Sequence, residues 1–406
     1  MPSLTEKLES LGVKIGVQEI KTPPAKNSFA IENIVDGRLQ ATPHGDTFLV
    51  DQTFPIDTPH GCHTLRIDAP LDLIATWAND ARLAERRPSS FCFLDTETTG
   101  LGFGAGTLAF MVGVARYEGQ SFHLAQFFVR DPAEETAMLA ALSDFIAPCA
   151  VLVTFNGKCF DAPLLETRYR LNQLASPLTT LAHLDLLPLA RRLWRDRLPS
   201  RALGSLEEHI LRLPRSGQDV PGWLIPELYF DYLQSGDARP LKGVFYHNQI
   251  DVLSMAALLG HIAGLLADPD QEHIPSLDVM AMGKLFEAMA QTEQAVRLYR
   301  LSLERGLPTE VHNKTIERLS LIHKRSKAWT QAIDLWQKAA NAGQIYAHVE
   351  LAKYYEHKTK QIEQAIHWTQ AAIARVRAPD RPLWERDAAL AELEHRLARL
   401  RKKLAR

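Results

Sequence analysis

Phe91-Cys92-Phe93-Leu94-Asp95-Thr96-Glu97-Thr98-Thr99-Gly100 is a short apolar run that ends in two carboxylates two residues apart. Such a run, closed by a Thr-Gly turn, reads as a buried strand. On a strand, residues two apart face the same side, so Asp95 and Glu97 can reach one metal ion; taken alone, the pair reads more simply as a polar strand end running into a turn. Outward from this strand, Thr107–Tyr117 and Phe122–Arg130 read as a hairpin around Tyr117-Glu118-Gly119-Gln120-Ser121. Asp131-Pro132-Ala133-Glu134 then opens a helix running to about Ile146, with Asp as its cap and Pro in its first turn. Ala150–Phe155 is another apolar strand, Asn156-Gly157 breaks it, and a helix follows from about Ala162. Thr180–Leu186 is a fifth strand, and Val244–Leu266 is a long apolar helical stretch. This order implies a mixed sheet with helices on its faces, an α/β fold.

Two further acidic positions stand in similar contexts. Asp161 follows the strand Val151–Phe155; it suits a metal ligand or, equally, a cap ahead of Pro163. His247 and Asp251 are four apart, which on a helix places them on one face; a plain His–Asp pair is the alternative. Taken together, the four acids suit hard divalent ions, which want oxygen ligands. Two such ions about 4 Å apart ease in-line cleavage of a phosphodiester. Without them, four carboxylates at one place would raise one another's pKa.

In combination, Asp95-x-Glu97-Thr98-Thr99-Gly100, then Asn156-Gly157 with Asp161, then His247-x-x-x-Asp251 resemble the three motifs of DEDD-type 3′–5′ exonucleases. These include DnaQ-like proofreading enzymes of the ribonuclease H-like fold. The resemblance covers about residues 89–266. Gly106-Thr107-Leu108-Ala109-Phe110, Gln126-Phe127-Phe128 and Asp131-Pro132-Ala133-Glu134-Glu135 are similar to YprB-type ribonuclease H-like proteins of bacteria. Those pair such a domain with tetratricopeptide-like repeats. The resemblance implies that Asp95, Glu97, Asp161 and Asp251 bind two Mg²⁺ or Mn²⁺ ions, and that a base next to the last aspartate activates water. Where the histidine subclass has its base five residues before that aspartate, this chain has Tyr246; His247 sits four before, in the slot tyrosine fills in the other subclass. Spacing leaves both open, and chemistry favours His247, because an ordinary phenol with a pKa of about 10 is a poor base at neutral pH.

Substrate contacts are expected from Thr98, Gly100 and Leu101 beyond the strand, from Asn156, and from Arg191 and Arg192. The arginines belong to a locally basic stretch, 166–215, with nine Arg against five acidic residues. Guanidinium groups suit phosphate, and Trp194 and Tyr169 there could stack on bases; ordinary Arg–Glu pairs on a helix face are the equal alternative.

Past Asp268-Pro269-Asp270 the chain turns helical and repetitive. Glu293-Gln294-Ala295-Val296-Arg297-Leu298-Tyr299, Thr330-Gln331-Ala332-Ile333-Asp334-Leu335-Trp336 and Glu363-Gln364-Ala365-Ile366-His367-Trp368 recur at intervals of about 35 residues, the period of tetratricopeptide units. A stack of this kind offers a groove to a protein partner. Leu390, Leu393, Leu397, Leu400 and Leu404 form the seam of a closing helix. The expected organisation is therefore 1–88, of unknown role; 89–266, a ribonuclease H-like exonuclease domain; and 277–406, an all-α tetratricopeptide-like domain.

Composition narrows the function classes. The formal net charge is -2, so the whole chain is no basic nucleic-acid coat, and any such partner meets a local patch. Cys62, Cys92, Cys149 and Cys159 form no C-x-x-C pair, and His60-Gly61-Cys62-His63 reads as a turn beside an edge strand. No stretch reads as a signal peptide or membrane span, and the expected setting is cytoplasmic. The expected function is a metal-dependent nuclease acting 3′–5′ on single-stranded DNA or RNA. An endonuclease of the same fold and a silent nucleic-acid or protein scaffold are the alternatives.

Overall fold

The computed structural model describes residues 29–83, 86–100, 106–378 and 383–405. The chain divides into two compact units: Met1–Ile67 with Arg86–Leu186 and Leu206–Leu259, and Asp68–Glu85 with Leu187–Ser205 and Gly260–Arg406.

The first unit is built on a seven-stranded mixed sheet. Its strands are β1 (Arg38–Thr42), β2 (Gly45–Pro55), β5 (Phe91–Thr98), β6 (Ala109–Glu118), β7 (Ser121–Phe128), β8 (Val151–Thr154) and β9 (Ala182–Asp185), with β3 (Pro59–His60) and β4 (His63–Thr64) forming a separate small hairpin. The order is β1-β2-β7-β6-β5-β8-β9. Pairing is antiparallel from β1 through β5, whereas β8 runs parallel to β5, and β9 to β8. The expected hairpin is β6–β7, and Gly119 takes a φ of 62° in its turn, where a side chain would be strained. The apolar alternation of β5 buries Cys92 and Leu94 against one core layer with Phe110, Phe127, Phe128 and Leu142. Asp95 and Glu97 share the parity of Phe91 and Phe93, so the strand leaves its fully buried stretch at the first carboxylate.

Helices α1 (Glu135–Ile146), α2 (Asp161–Leu171), α3 (Ile225–Ser235) and α4 (Leu241–Ala267) follow the strands. Asp131 caps the entry to α1, its carboxylate accepting from the Ala133 amide at 2.9 Å, as the sequence anticipates. Tyr229 of α3 stacks on Phe110 at 4.0 Å between ring centres, fixing that helix to the sheet. Among the described residues, α4 is the one helix long and apolar enough to cross a membrane, yet 72% of its most apolar window is buried within the protein.

The N-terminal region contributes more to the sheet than its sequence suggests. β2 spans eleven residues, and β1 adds the outer edge. Its alternation is hidden because β1 is largely exposed and the second half of β2 is only partly covered. His60 and His63 flank the expected turn at Gly61, in the two-stranded hairpin apart from the main sheet. The His60 Nε2 lies 2.8 Å from the Ser254 hydroxyl, and burial pushes its imidazole down to about 4, so it is neutral at physiological pH.

The second unit is helical from Ser276 onward: Ser276–Ala288, Thr292–Glu304, Thr309–Arg325, Trp329–Asn341, Ile345–His357, Ile362–Val376 and Leu383–Leu404, each packed on the next. Ala295, Ala332 and Ala365, the recurring alanines, are fully buried. Tyr299, four residues on, lies over Gly283, and Trp336 donates its indole N–H to the Ser320 hydroxyl at 3.1 Å. Leu393 and Leu400 of the last helix are buried, whereas Leu404 is half exposed.

Two expectations are overturned here. Trp194 is fully buried, stacked on His261, and its indole N–H donates to Asp278 at 3.2 Å; it offers no face to a base. Tyr169 is likewise buried, its hydroxyl donating to the Leu139 carbonyl at 2.9 Å. Both are amphipathic rings whose polar tips are satisfied inside the core.

Candidate active site

The acidic end of β5 meets the start of α2 and the middle of α4. Asp95 pairs across the sheet with Gly113 of β6, and that glycine leaves room for Asn248 of α4. A Cβ at Gly113 would lie 2.0 Å from the Asn248 Oδ1. Asn248 is fully buried and satisfied: it accepts from Gln126 Nε2 at 3.0 Å and donates to Asp95 Oδ2 at 3.0 Å. Gln126 also donates to the Phe245 carbonyl at 2.8 Å, which ties the helix to the sheet beside the carboxylates.

Asp161 is delivered by a tight turn. Asn156 takes a φ of 68°, and its amide donates to Asp185 Oδ1 at 2.8 Å; the Lys158 amide donates to Asp185 Oδ2 at 3.2 Å. Asp185, fully buried at the end of β9, thus shapes the turn ahead of α2. Asp161 accepts a hydrogen bond from the Thr96 hydroxyl, between Asp95 and Glu97 in the chain. A Cβ at Gly157 would lie 2.8 Å from its Oδ2, so the turn admits only glycine without a shift.

The four carboxylates are close enough to disturb one another. Burial, then the charges of Asp251, Glu97 and Asp161, push the Asp95 carboxyl well above its ordinary range. Burial, then Asp251 and Asp161, do the same to Glu97. Burial lifts Asp161 to about 6, against the pull of the Thr96 hydrogen bond. Asp251 is also raised by burial, against the opposing pull of His247 and Arg215.

Arg215 was not singled out in the sequence, and it is the cation of this cluster. Its guanidinium grips buried Glu207 with two bonds, at 2.6 and 2.9 Å, and also donates to Asp251. Its Nη1 lies 3.3 Å from Asp219 and 3.0 Å from His247 Nδ1. Glu207 begins a π-helical turn, Glu207–Leu211, an irregularity common at functional sites. His247 Nδ1 is 2.8 Å from Asp219 Oδ1, and its Nε2 is 3.8 Å from Asp251 Oδ2. The neighbouring Tyr246 hydroxyl instead faces the Ser216 amide at 3.4 Å.

Asp95, Glu97, Asp161 and Asp251 are therefore brought within range of one another's charge, and His247 lies beside Asp251. Thr98 sits where the β5–β6 register shifts, and its hydroxyl donates to the Gly100 carbonyl at 2.9 Å. Leu101 lies outside the described residues. Arg191 and Arg192 are exposed on the helix Leu186–Trp194 and belong to the second unit. No sequence pattern marks Arg215, Asp219 or Glu207, which come from an irregular stretch with no apolar period. Asn248 was legible only as a neighbour of His247.

The donor chemistry fits a hard divalent cation: clustered, buried carboxylates with raised pKa are stabilised by positive charge. Among the described residues, no three His, Cys, Asp or Glu side chains are set at metal-ligand spacing. Arg215 and Thr96 orient Asp251 and Asp161 toward protein partners instead.

A mixed sheet of this order with an acidic end is the architecture of the ribonuclease H superfamily, whose family model matches residues 92–263. Members of that superfamily are commonly nucleases, usually acting with divalent metals. A Bacillus subtilis (strain 168) protein, "Uncharacterized protein YprB", is 32% identical over 334 residues, 79% of this chain and 79% of its own. At that identity and coverage, the chain belongs to the YprB family of ribonuclease H-like proteins.

Proposed function

We propose that the protein is a metal-dependent nuclease of the DEDD kind that removes nucleotides from the 3′ end of single-stranded DNA or RNA. One observation carries the reading: four buried carboxylates from three distant segments lie beside a histidine, and the charges of Asp161 and Asp251 raise both Asp95 and Glu97. Asp95, Glu97, Asp161 and Asp251 would hold two Mg²⁺ or Mn²⁺ ions, which supply the positive charge that in-line phosphodiester cleavage requires. His247 is the proton acceptor. Its Nδ1 cannot both accept from Arg215 and donate to Asp219. Arg215 is already engaged by Glu207 and Asp251, so the shorter contact to Asp219 decides, and Nδ1 donates to it. That tautomer leaves the Nε2 lone pair turned toward Asp251, where it can take a proton from water. Thr98, Gly100 and Asn156 border the substrate. Arg191 and Arg192 are candidate phosphate contacts. The helical repeats are read as a tetratricopeptide-like stack that docks a protein partner, in a cytoplasmic setting.

The test uses 5′-labelled single strands of DNA and of RNA with Mn²⁺, comparing wild type with Asp95→Ala. A ladder of shortened products from wild type alone supports the proposal. Discrete internal cuts would replace exonuclease with endonuclease. Equal activity in Asp95→Ala removes the site assignment, and no hydrolysis by wild type leaves a binding scaffold.

A further inference from the structure

Between Asp219 and α3 runs Val220-Pro221-Gly222-Trp223-Leu224. Trp223 is 80% exposed, the most exposed large apolar side chain among the described residues. Tryptophan is seldom left so open, because its ring carries the largest apolar area of any side chain. The segment holding it is fixed rather than loose. Asp219, at its start, bonds His247. Val220 lies so close to Gly243 of α4 that a Cβ there would be 2.6 Å from Val220 Cγ1. The Leu224 amide donates to the Pro221 carbonyl at 2.9 Å, closing a tight turn, and Ile225 is buried in the core. Gly222 borders the candidate base directly: a Cβ on it would be 3.8 Å from His247 Nε2, the atom proposed to take the proton. Phe160, 40% exposed, immediately precedes Asp161 in the chain.

We infer that Trp223 is a stacking platform for an unpaired nucleobase next to the phosphodiester to be cut. A solvent-facing indole on a fixed backbone turn, one residue from the glycine that borders His247, offers a flat apolar face within the same neighbourhood. Every base has a π-face, so such a platform accepts any sequence and excludes a base still paired in a duplex. The substrate class is thus a strand whose last bases are unpaired. This rests on the nuclease reading of the carboxylate cluster.

The test measures binding of the full-length chain to fluorescein-labelled single strands in Ca²⁺. Each strand is used intact and with an abasic site at one of the last four positions from the 3′ end. The expected results are that one abasic position weakens wild-type binding, that Trp223→Ala weakens binding of the intact strand roughly ten- to hundredfold, and that the abasic penalty vanishes in Trp223→Ala. Trp223→Phe keeps most of the affinity. Unchanged binding by Trp223→Ala, or a loss that persists undiminished on the abasic strand, overturns the platform and leaves the carboxylate site standing. A wild-type chain that neither binds these strands nor cuts them in Mn²⁺ overturns the nuclease reading itself.

Discussion

Replacing Asp161 with Asn stabilises the metal-free protein at alkaline pH, although it removes a proposed ligand. The Asp161 carboxyl titrates at about 6 in the folded chain against an ordinary 3.8. That gap of about 2 units corresponds to about 3 kcal/mol at roughly 1.4 kcal/mol per unit. The folded state holds this proton more tightly than the unfolded chain does. Its contribution is therefore favourable below about pH 4, and is lost as pH rises through about 6. Solvent does little to screen the effect, since the side chain is buried. Asn keeps an oxygen that can accept from Thr96, so the local hydrogen bond survives. In EDTA, melting curves of wild type and Asp161→Asn should coincide near pH 4 and separate by about 5–10 °C at pH 8, with the variant higher. Added Mn²⁺ should close that gap by raising wild type alone. A variant that melts lower than wild type at pH 8 in EDTA, or an offset independent of pH, would refute the electrostatic account of this cluster.

Two further expectations follow from single contacts. Asp219→Asn should lower kcat roughly ten- to hundredfold with KM unmoved, because His247, the proposed base, loses its preferred tautomer while the substrate contacts remain; Asp219→Glu recovers part of the rate, and steady-state kinetics in which only KM changes would remove Asp219 from the chemistry. Gly113→Ala drives a methyl into Asn248 and should cost about 1–3 kcal/mol in urea unfolding; an unchanged midpoint would show that the helix yields without strain.

The central strands were legible because burial on both faces leaves an unbroken apolar signature, as in Phe91–Leu94 and Val151–Val153. The β6–β7 hairpin declared itself through Gly119, whose positive φ a turn requires. Asp95 and Glu97 could be grouped in advance because strand geometry alone puts them on one side. β1 was not legible: an edge strand with mostly solvated residues has little apolar alternation to read. Trp194 and Tyr169 were misread because composition cannot tell a stacking ring from one whose polar tip is satisfied within the core. The Arg215–Asp219–Glu207 group was invisible for another reason. Arg215 and Asp219 meet His247 and Asp251 across about thirty residues of chain, and charge pairing at such separation leaves no periodic trace.

Arg215 has a consequence for how the chain matures. Because its guanidinium is anchored by Glu207 and already bridges to Asp251, the acidic cluster carries a counter-ion supplied by a side chain of its own. Closing the sheet around these acids during synthesis need not await an ion from solution. The metal proposed above would then be loaded after folding rather than drive it, unlike small domains whose folding is itself the act of binding metal.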